Sequence, residues 1–311
     1  MDANRSATPR VPHILSVDVE DYFMVEAFSG SVDRASWETW PSRVEANTRR
    51  TLDLFDRHNA KATFFLVGWV AERFPNLIRE IHNRGHELAC HSYWHRTIYS
   101  LTPDQFREDT RAAVHAVEDA AGVKLRGYRA PSWSITRDCL WALDILAEEG
   151  FSYDSSIYPI VHDIYGLPGA QRFPYIRACS HDMTLLEFPP ATVQLFGTTL
   201  PAAGGGYLRI LPLAYTHWAF RKFEREYRSP LVVYFHPWEI DPEQPRIRDR
   251  FRSRFRHYTN LRGMVGRLES ILETYAFLPF RDVIEHIQLT PSLVDSPEPQ
   301  AQEKSEECKI L

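Results

Sequence analysis

Two histidines four positions apart, in His91-Ser92-Tyr93-Trp94-His95, carry the first chemical signal of this 311-residue chain. Residues at i and i+4 share a face in a helical turn, so both rings are expected to point at one ion. Neutral imidazole suits zinc and other divalent first-row metals. A catalytic metal of that kind usually takes three protein ligands and keeps one position for water. Acids that complete such a set crowd Ser16-Val17-Asp18-Val19-Glu20-Asp21. Three carboxylates within four residues repel one another and lose solvation if buried, and a cation between them removes that penalty. Alternation along a strand sends Asp18 and Glu20 to the same face.

Three more residues could take part. Arg129, in Tyr128-Arg129-Ala130-Pro131-Ser132-Trp133, is able to orient a carboxylate bidentately and keep it ionised. His236 ends the apolar run Leu231–Phe235 and reads equally as a satisfied core side chain or as a general acid at the mouth of a cleft. Asp154 either orients a histidine or caps a turn.

These residues need elements to hold them, and apolar runs alternate with helix-period segments from about His13 to Val283. That is the pattern of β-α units around a parallel sheet. Strands are expected at His13–Asp18, Lys61–Val67, Glu87–Cys90, Arg126–Arg129, Phe151–Asp154, Thr184–Phe188, Leu231–His236 and Phe277–Arg281. Helices are expected at Val44–His58, Val70–Asn83, Thr102–Ala121, Arg137–Glu149, Pro212–Tyr227 and Asn260–Tyr275. Thr102-Pro103-Asp104-Gln105 reads as an N-cap, a proline at N1 and a capping box, with Gly122 as the stop. Ser155–Gln171 reads as loop, and Gly204-Gly205-Gly206 as a flexible turn. Asp18, His91, Arg129, Asp154 and His236 then all follow the C-terminal end of a strand, the rim that holds the active site in β/α barrels.

Composition narrows the class. The chain is 44% hydrophobic and 25% charged, ordinary for a globular protein. Its formal net charge of −5 argues against nucleic acid as partner, and no Lys/Arg cluster is read as a phosphate-tracking surface. Cys90, Cys139, Cys179 and Cys308 are scattered, which fits a reducing compartment without disulfides. No run reaches the length of a membrane span, and the polar start lacks the apolar core of a secretory signal. The expectation is a cytoplasmic protein.

With those residues in view, the chain resembles the polysaccharide deacetylase (NodB-homology) family of carbohydrate esterases over roughly His13 to Val283. Within it, Asp18-Val19-Glu20-Asp21-Tyr22-Phe23, Tyr128-Arg129-Ala130-Pro131-Ser132, Tyr153-Asp154-Ser155-Ser156-Ile157 and Phe255-Arg256-His257-Tyr258 are similar to the branch beside exosortase and exopolysaccharide loci. The resemblance implies a distorted (β/α)7 barrel, with residues 1–12 and 290–311 as polar tails and 13–289 as the barrel, including a family-specific region from about 240. It implies a divalent metal, zinc first, on His91, His95 and one carboxylate. Asp18 would be the catalytic base, Arg129 would keep it ionised, and His236 would be the general acid. The usual first motif has adjacent aspartates, but valine separates Asp18 from Glu20 here. The third ligand is therefore left between Glu20 and Asp21, with Glu20 preferred on strand geometry.

The activity implied is removal of acetyl groups from an N-acetylated glycan, at the inner membrane face and in peripheral association with exopolysaccharide synthesis. Tyr22, Trp94, Trp133 and Trp238, taken as exposed aromatics, would stack on sugar rings or pack the loops, with Pro131 and Asp154 beside them. An allantoinase-like cyclic amide hydrolase, a peptidoglycan deacetylase and a non-catalytic glycan-binding relative are the alternatives on the same barrel. Oligomeric state is left open.

Overall fold

A computed structural model describes residues 12–162 and 165–287. The expected polar tails fall almost entirely outside the described residues. From the N-terminus the elements are β1 (His13–Val19), α1 (Val44–Arg57), β2 (Thr63–Leu66), α2 (Gly68–Arg73), α3 (Pro75–Asn83) and β3 (Glu87–Cys90). There follow α4 (Pro103–Ala121), β4 (Gly127–Tyr128), α5 (Trp141–Glu148), β5 (Tyr153–Asp154), β6 (Tyr175–Ala178), β7 (Thr184–Glu187), β8 (Thr192–Leu195) and β9 (Thr198–Pro201). The last are α6 (Gly205–Ile210), α7 (Leu213–Lys222), β10 (Val232–Phe235), α8 (Phe251–Tyr258), α9 (Met264–Thr274), β11 (Phe277–Leu278) and α10 (Phe280–His286).

The main sheet runs β10-β1-β2-β3-β4-β5-β7-β6, with β11 also beside β1. Its path from β10 to β7 is parallel throughout, and only the edge strand β6 is antiparallel. Seven parallel strands that curl without closing make the distorted (β/α) barrel that was expected. One cluster fills its lower interior: Ile14, Phe65, Ala89, Tyr153 and Val232 from the strands, with Phe280 of α10 stacked on Tyr153 at 5.0 Å. A larger cluster lies between sheet and helices. Both faces of the sheet are thus covered, which is why β1 and β2 are buried along their whole length. The plug at the N-terminal ends leaves the C-terminal rim for function.

Local chemistry sets several boundaries. Thr102 Oγ1 accepts from Gln105 N at 3.3 Å, Gln105 Oε1 accepts from Thr102 N at 3.0 Å, and Gly122 stops α4 at φ +70°. Other expectations need correction. The helix expected over Val70–Asn83 is two helices, because Pro75 lacks the N–H that would continue the first and starts the second instead. The Gly204-Gly205-Gly206 turn is packed, not flexible: a Cβ on Gly204 (φ +121°) would lie 2.3 Å from the Tyr234 ring. The expected strand Phe277–Arg281 ends at Leu278, after which α10 begins. The strands β6, β8 and β9 and the helices α6, α8 and α10 were not foreseen. Among the described residues no helix is long and apolar enough to cross a membrane, and Cys90, Cys139 and Cys179 are free.

Candidate metal and acid–base site

Strand β1 delivers the acids. Ser16 and Asp18 project to one side, where Arg129 Nη1 donates to Ser16 Oγ at 2.9 Å and to Asp18 Oδ1 at 2.6 Å. Arg129 and Asp18 are both buried, so each compensates a charge that would otherwise be costly to desolvate. The guanidinium is fixed from behind: Nη2 donates to Ser155 Oγ at 3.1 Å, and Nε to the Ser155 carbonyl at 3.3 Å. Ser156 Oγ accepts from Ala130 N at 2.8 Å and donates to Asp154 Oδ1 at 2.6 Å.

Glu20 lies two residues beyond Asp18, on the same side. Its carboxylate and the rings of His91 and His95 bring one donor atom each within 4.8 Å of one another, all buried. The histidines do not reach this point through a helical turn. Residues 91–96 are a loop with Ser92 at φ +65° and His95 at φ +49°, a conformation of residues held by their surroundings. Asp109 of α4 is the holder. It accepts from Ser92 Oγ and Tyr93 N at 2.7 Å each, from Trp94 N at 3.3 Å and from Arg96 Nη2 at 3.1 Å. Arg34 adds donors to the carbonyls of Trp94 and His95.

The protonation pattern suits a cation. His91 Nδ1 is 2.7 Å from the Arg129 carbonyl. A carbonyl only accepts, so Nδ1 carries the proton and Nε2 keeps its lone pair. Burial, with His95 alongside, pushes the His91 pKa down to about 4, a neutral ring at ordinary pH. For Glu20 burial opposes ionisation, but His95, His236 and His91 outweigh it and hold the carboxyl well below the usual range. His95 Nε2 stands 2.7 Å from Glu20 Oε2, yet Glu20 Oε2 and His95 Nδ1 lack a hydrogen-bond partner. A buried carboxylate oxygen that faces an imidazole nitrogen and has no other partner suits a cation. Two imidazoles and a carboxylate fit zinc or a similar divalent metal.

His236 completes the rim from the end of β10. Its Nε2 lies 3.5 Å from Glu20 Oε1 and 3.9 Å from Asp18 Oδ2. Its Nδ1 donates to Glu239 Oε1 at 2.8 Å, and the same oxygen accepts from His236 N at 3.0 Å. Burial disfavours the charged ring, but Glu20, Glu239 and Asp18 overcome it and raise the pKa to about 9. Glu239 in turn pairs with the buried Arg209, whose remaining donors reach the carbonyls of Arg256, His257 and Thr259. Neither Glu239 nor Arg209 was singled out from the sequence. The signal was present in His236-Pro237-Trp238-Glu239, a capping box with histidine at the N-cap and glutamate at N3.

Asp18, Glu20, His91, His95 and His236 line the inner end of a cavity of about 510 Å³. Its walls come from Ser132–Trp133, from Tyr234 and Trp238, and from α6 and α8. Several expected residues are elsewhere. Asp21 caps α1 at a distance, with Oδ2 accepting from Ser42 Oγ, Arg43 N and Val44 N. It is outside the donor cluster, because the chain turns after Glu20. Asp154 faces Ser156 and Glu187, and burial raises the pKa of both carboxyls; it supports the loop behind Arg129, away from the cavity. Tyr22 is fully buried against Phe23, and Pro131 is buried without lining the cavity. Trp94 is exposed, but packs on Trp37 outside the cavity. Trp133 and Trp238 do line it, but as buried rings. Trp133 lies 5.4 Å from the Arg129 guanidinium, and Trp238 Nε1 donates to Glu20 Oε1 at 3.1 Å.

Residues 33–150 match the family model described as polysaccharide deacetylase, and residues 155–285 match a domain of unknown function, DUF3473. Over 120 residues the chain is 30% identical to a peptidoglycan-N-acetylglucosamine deacetylase of Bacillus cereus, covering 35% of this chain and 44% of that protein. It is 30% identical over 113 residues to a peptidoglycan deacetylase of Helicobacter pylori, covering 36% of this chain and 38% of that protein. The matched stretches thus span less than half the length of these relatives. A Mycobacterium smegmatis protein assigned as a polysaccharide deacetylase shares the fold over 96% of this chain and 99% of its own, with a TM-score of 0.61 and 22% identity. Puue allantoinase shares it over 92% and 97%, with a TM-score of 0.58 and 17% identity.

Proposed function

We propose, on the support that the family model and these relatives give to the polysaccharide deacetylase family, that this chain is a metal-dependent hydrolase of acetamide bonds in an N-acetylated glycan. The single observation that carries the reading is the meeting of Glu20, His91 and His95 beside Asp18–Arg129 and His236 at one end of the cavity. Glu20, His91 and His95 would hold the metal. When bound, a divalent metal such as zinc polarises a carbonyl and brings a water close to ionisation.

The remaining chemistry belongs to the chain. Asp18, oriented by Arg129, takes the proton of the attacking water as the new C–O bond forms. His236 carries a proton on Nε2 and turns that face toward the reacting end. It gives the proton to the sugar nitrogen as the C–N bond breaks, so acetate and a free amine leave. Glu239 positions His236 by fixing Nδ1, and Arg209 positions Glu239. Trp133, Tyr165, Tyr207 and Tyr234 supply aromatic walls that suit the apolar faces of sugar rings. A glycan of the exopolysaccharide class, met at the inner membrane face, is the finer assignment, on the strength of Asp18–Phe23 and Tyr128–Ser132.

The test is acetate release from N-acetylated oligosaccharides, with metal content measured on the same protein. His91→Ala is expected to lose both metal and turnover while its circular dichroism is unchanged. Undiminished acetate release from the metal-free variant would overturn the proposal. Turnover of small cyclic amides without acetate release would assign the barrel to the allantoinase-like reading instead.

A further inference from the structure

The densest charge of the chain lies at the cavity mouth, outside the acid–base residues. Residues 246–256 read Arg-Ile-Arg-Asp-Arg-Phe-Arg-Ser-Arg-Phe-Arg, six arginines and one aspartate. That is a local charge of +5 in a chain of −5. It overturns the expectation of no phosphate-tracking surface, which a negative total had suggested. All six arginines are exposed. The one acid, Asp249, is engaged by Ser31 Oγ at 2.7 Å. Arg246 lies over the Tyr258 ring at 4.2 Å. Among the described residues, Arg248, Arg252 and Arg254 have no ion-pair partner. Like charges at this density repel one another unless a counter-surface meets them.

The same stretch exposes aromatic surface. Phe251 is 79% exposed and Phe255 50%, their rings one turn apart on α8 and stacked at 6.1 Å. Phe255 lines the cavity together with Ile210, itself 40% exposed. Val161, 85% exposed, immediately precedes the cavity-lining His162. Apolar side chains gathered at one opening and ringed by guanidinium groups mark a contact surface.

We propose that α8 and the segment before it form a docking face for an anionic lipid bilayer, which holds the cavity mouth against the membrane surface. A short helix with exposed aromatics and a dense arginine complement is built to lie in the headgroup plane. Guanidinium groups meet lipid phosphates bidentately while the rings enter the acyl boundary. A soluble polyanion would engage the arginines but leave Phe251 idle. A protein groove would take the phenylalanines but not six like charges. Both features together select an anionic membrane. This face stands whether or not the cavity behind it deacetylates a glycan.

Flotation of the full chain with lipid vesicles tests the proposal. Binding is expected to phosphatidylcholine vesicles containing phosphatidylglycerol, to fall with added salt, and to be absent with phosphatidylcholine alone. Reversing Arg248, Arg252 and Arg254 together to Glu should lower partitioning by at least about 100-fold. Phe251→Ser should lower it roughly tenfold. None of these four residues lines the cavity or belongs to the buried core, so unchanged far-ultraviolet circular dichroism and an unchanged thermal midpoint serve as the control that each variant is folded. Two results would overturn the proposal: equal binding to neutral and anionic vesicles, or vesicle binding that heparin abolishes and Phe251→Ser leaves unchanged.

Discussion

Trp238 lies face to face with two histidines, His236 at 5.2 Å with 18° between planes and His257 at 4.0 Å with 12°. Its indole N–H is given to Glu20, so one residue orients both the proposed metal ligand Glu20 and the proposed proton donor His236. This differs from the sugar-stacking role that an exposed tryptophan would have. Trp238→Phe addresses the hydrogen bond first, since it removes the N–H donor and keeps an aromatic, though smaller, ring between His236 and His257. Losing such an outer partner typically weakens metal binding about 10–100-fold. We expect that loss in a zinc titration, with KM for the oligosaccharide unchanged. A raised KM with intact zinc affinity would return Trp238 to the sugar. Glu20 itself was legible from strand alternation alone. Its partner was not, because a separation of 218 positions along the chain leaves no local pattern.

At the scale of elements, the histidine loop shows how a correct expectation can rest on the wrong geometry. The four-residue spacing is real, but left-handed backbone at Ser92 and His95 brings the rings together, at 5.2 Å between centroids. That conformation costs on the order of 1–3 kcal/mol per residue, and the hydrogen bonds from α4 to the loop offset it. Asp109 is therefore the residue on which the pair depends. Asp109→Ala leaves the Tyr93 N–H and the Ser92 hydroxyl unsatisfied, at about 1–3 kcal/mol, and lets the loop relax. The expected result is zinc affinity lower by about 10–100-fold with far-ultraviolet circular dichroism retained; calorimetric titration measures it. Unchanged affinity would mean that β3 alone fixes the loop. From the sequence, Asp109 is one more polar residue inside a helix. By contrast, the capping box at Thr102 and the stop at Gly122 need only neighbours, which is why the ends of α4 were legible.

At the scale of the molecule, strand periods and strand-end chemistry revealed the barrel and the rim, while the strand order was hidden. Nothing local in Leu231–Phe235 shows that β10 will lie against β1, with Ile14 opposite Val232 and Val17 opposite Phe235. Yet β1, paired with β10 on one side and β2 on the other, bridges the two matched segments. The stretch like polysaccharide deacetylases supplies β2 to β4 and both histidines. The stretch of unknown function supplies β10, His236, Glu239 and Arg209, and the cavity wall of α6 and α8. β1, which carries Asp18, lies outside both matches and is held between β10 on one side and β2 on the other. Removing either segment would strip a neighbour from a fully buried strand and expose its backbone donors and acceptors. The two stretches therefore cannot be separate folding units, although they match different families. One cooperative transition is expected in urea, with tryptophan fluorescence and far-ultraviolet circular dichroism giving the same midpoint. Two transitions, one of them sparing the α4 region, would show that the barrel folds without its last strands. His236, the proposed proton donor, would then belong to a detachable part.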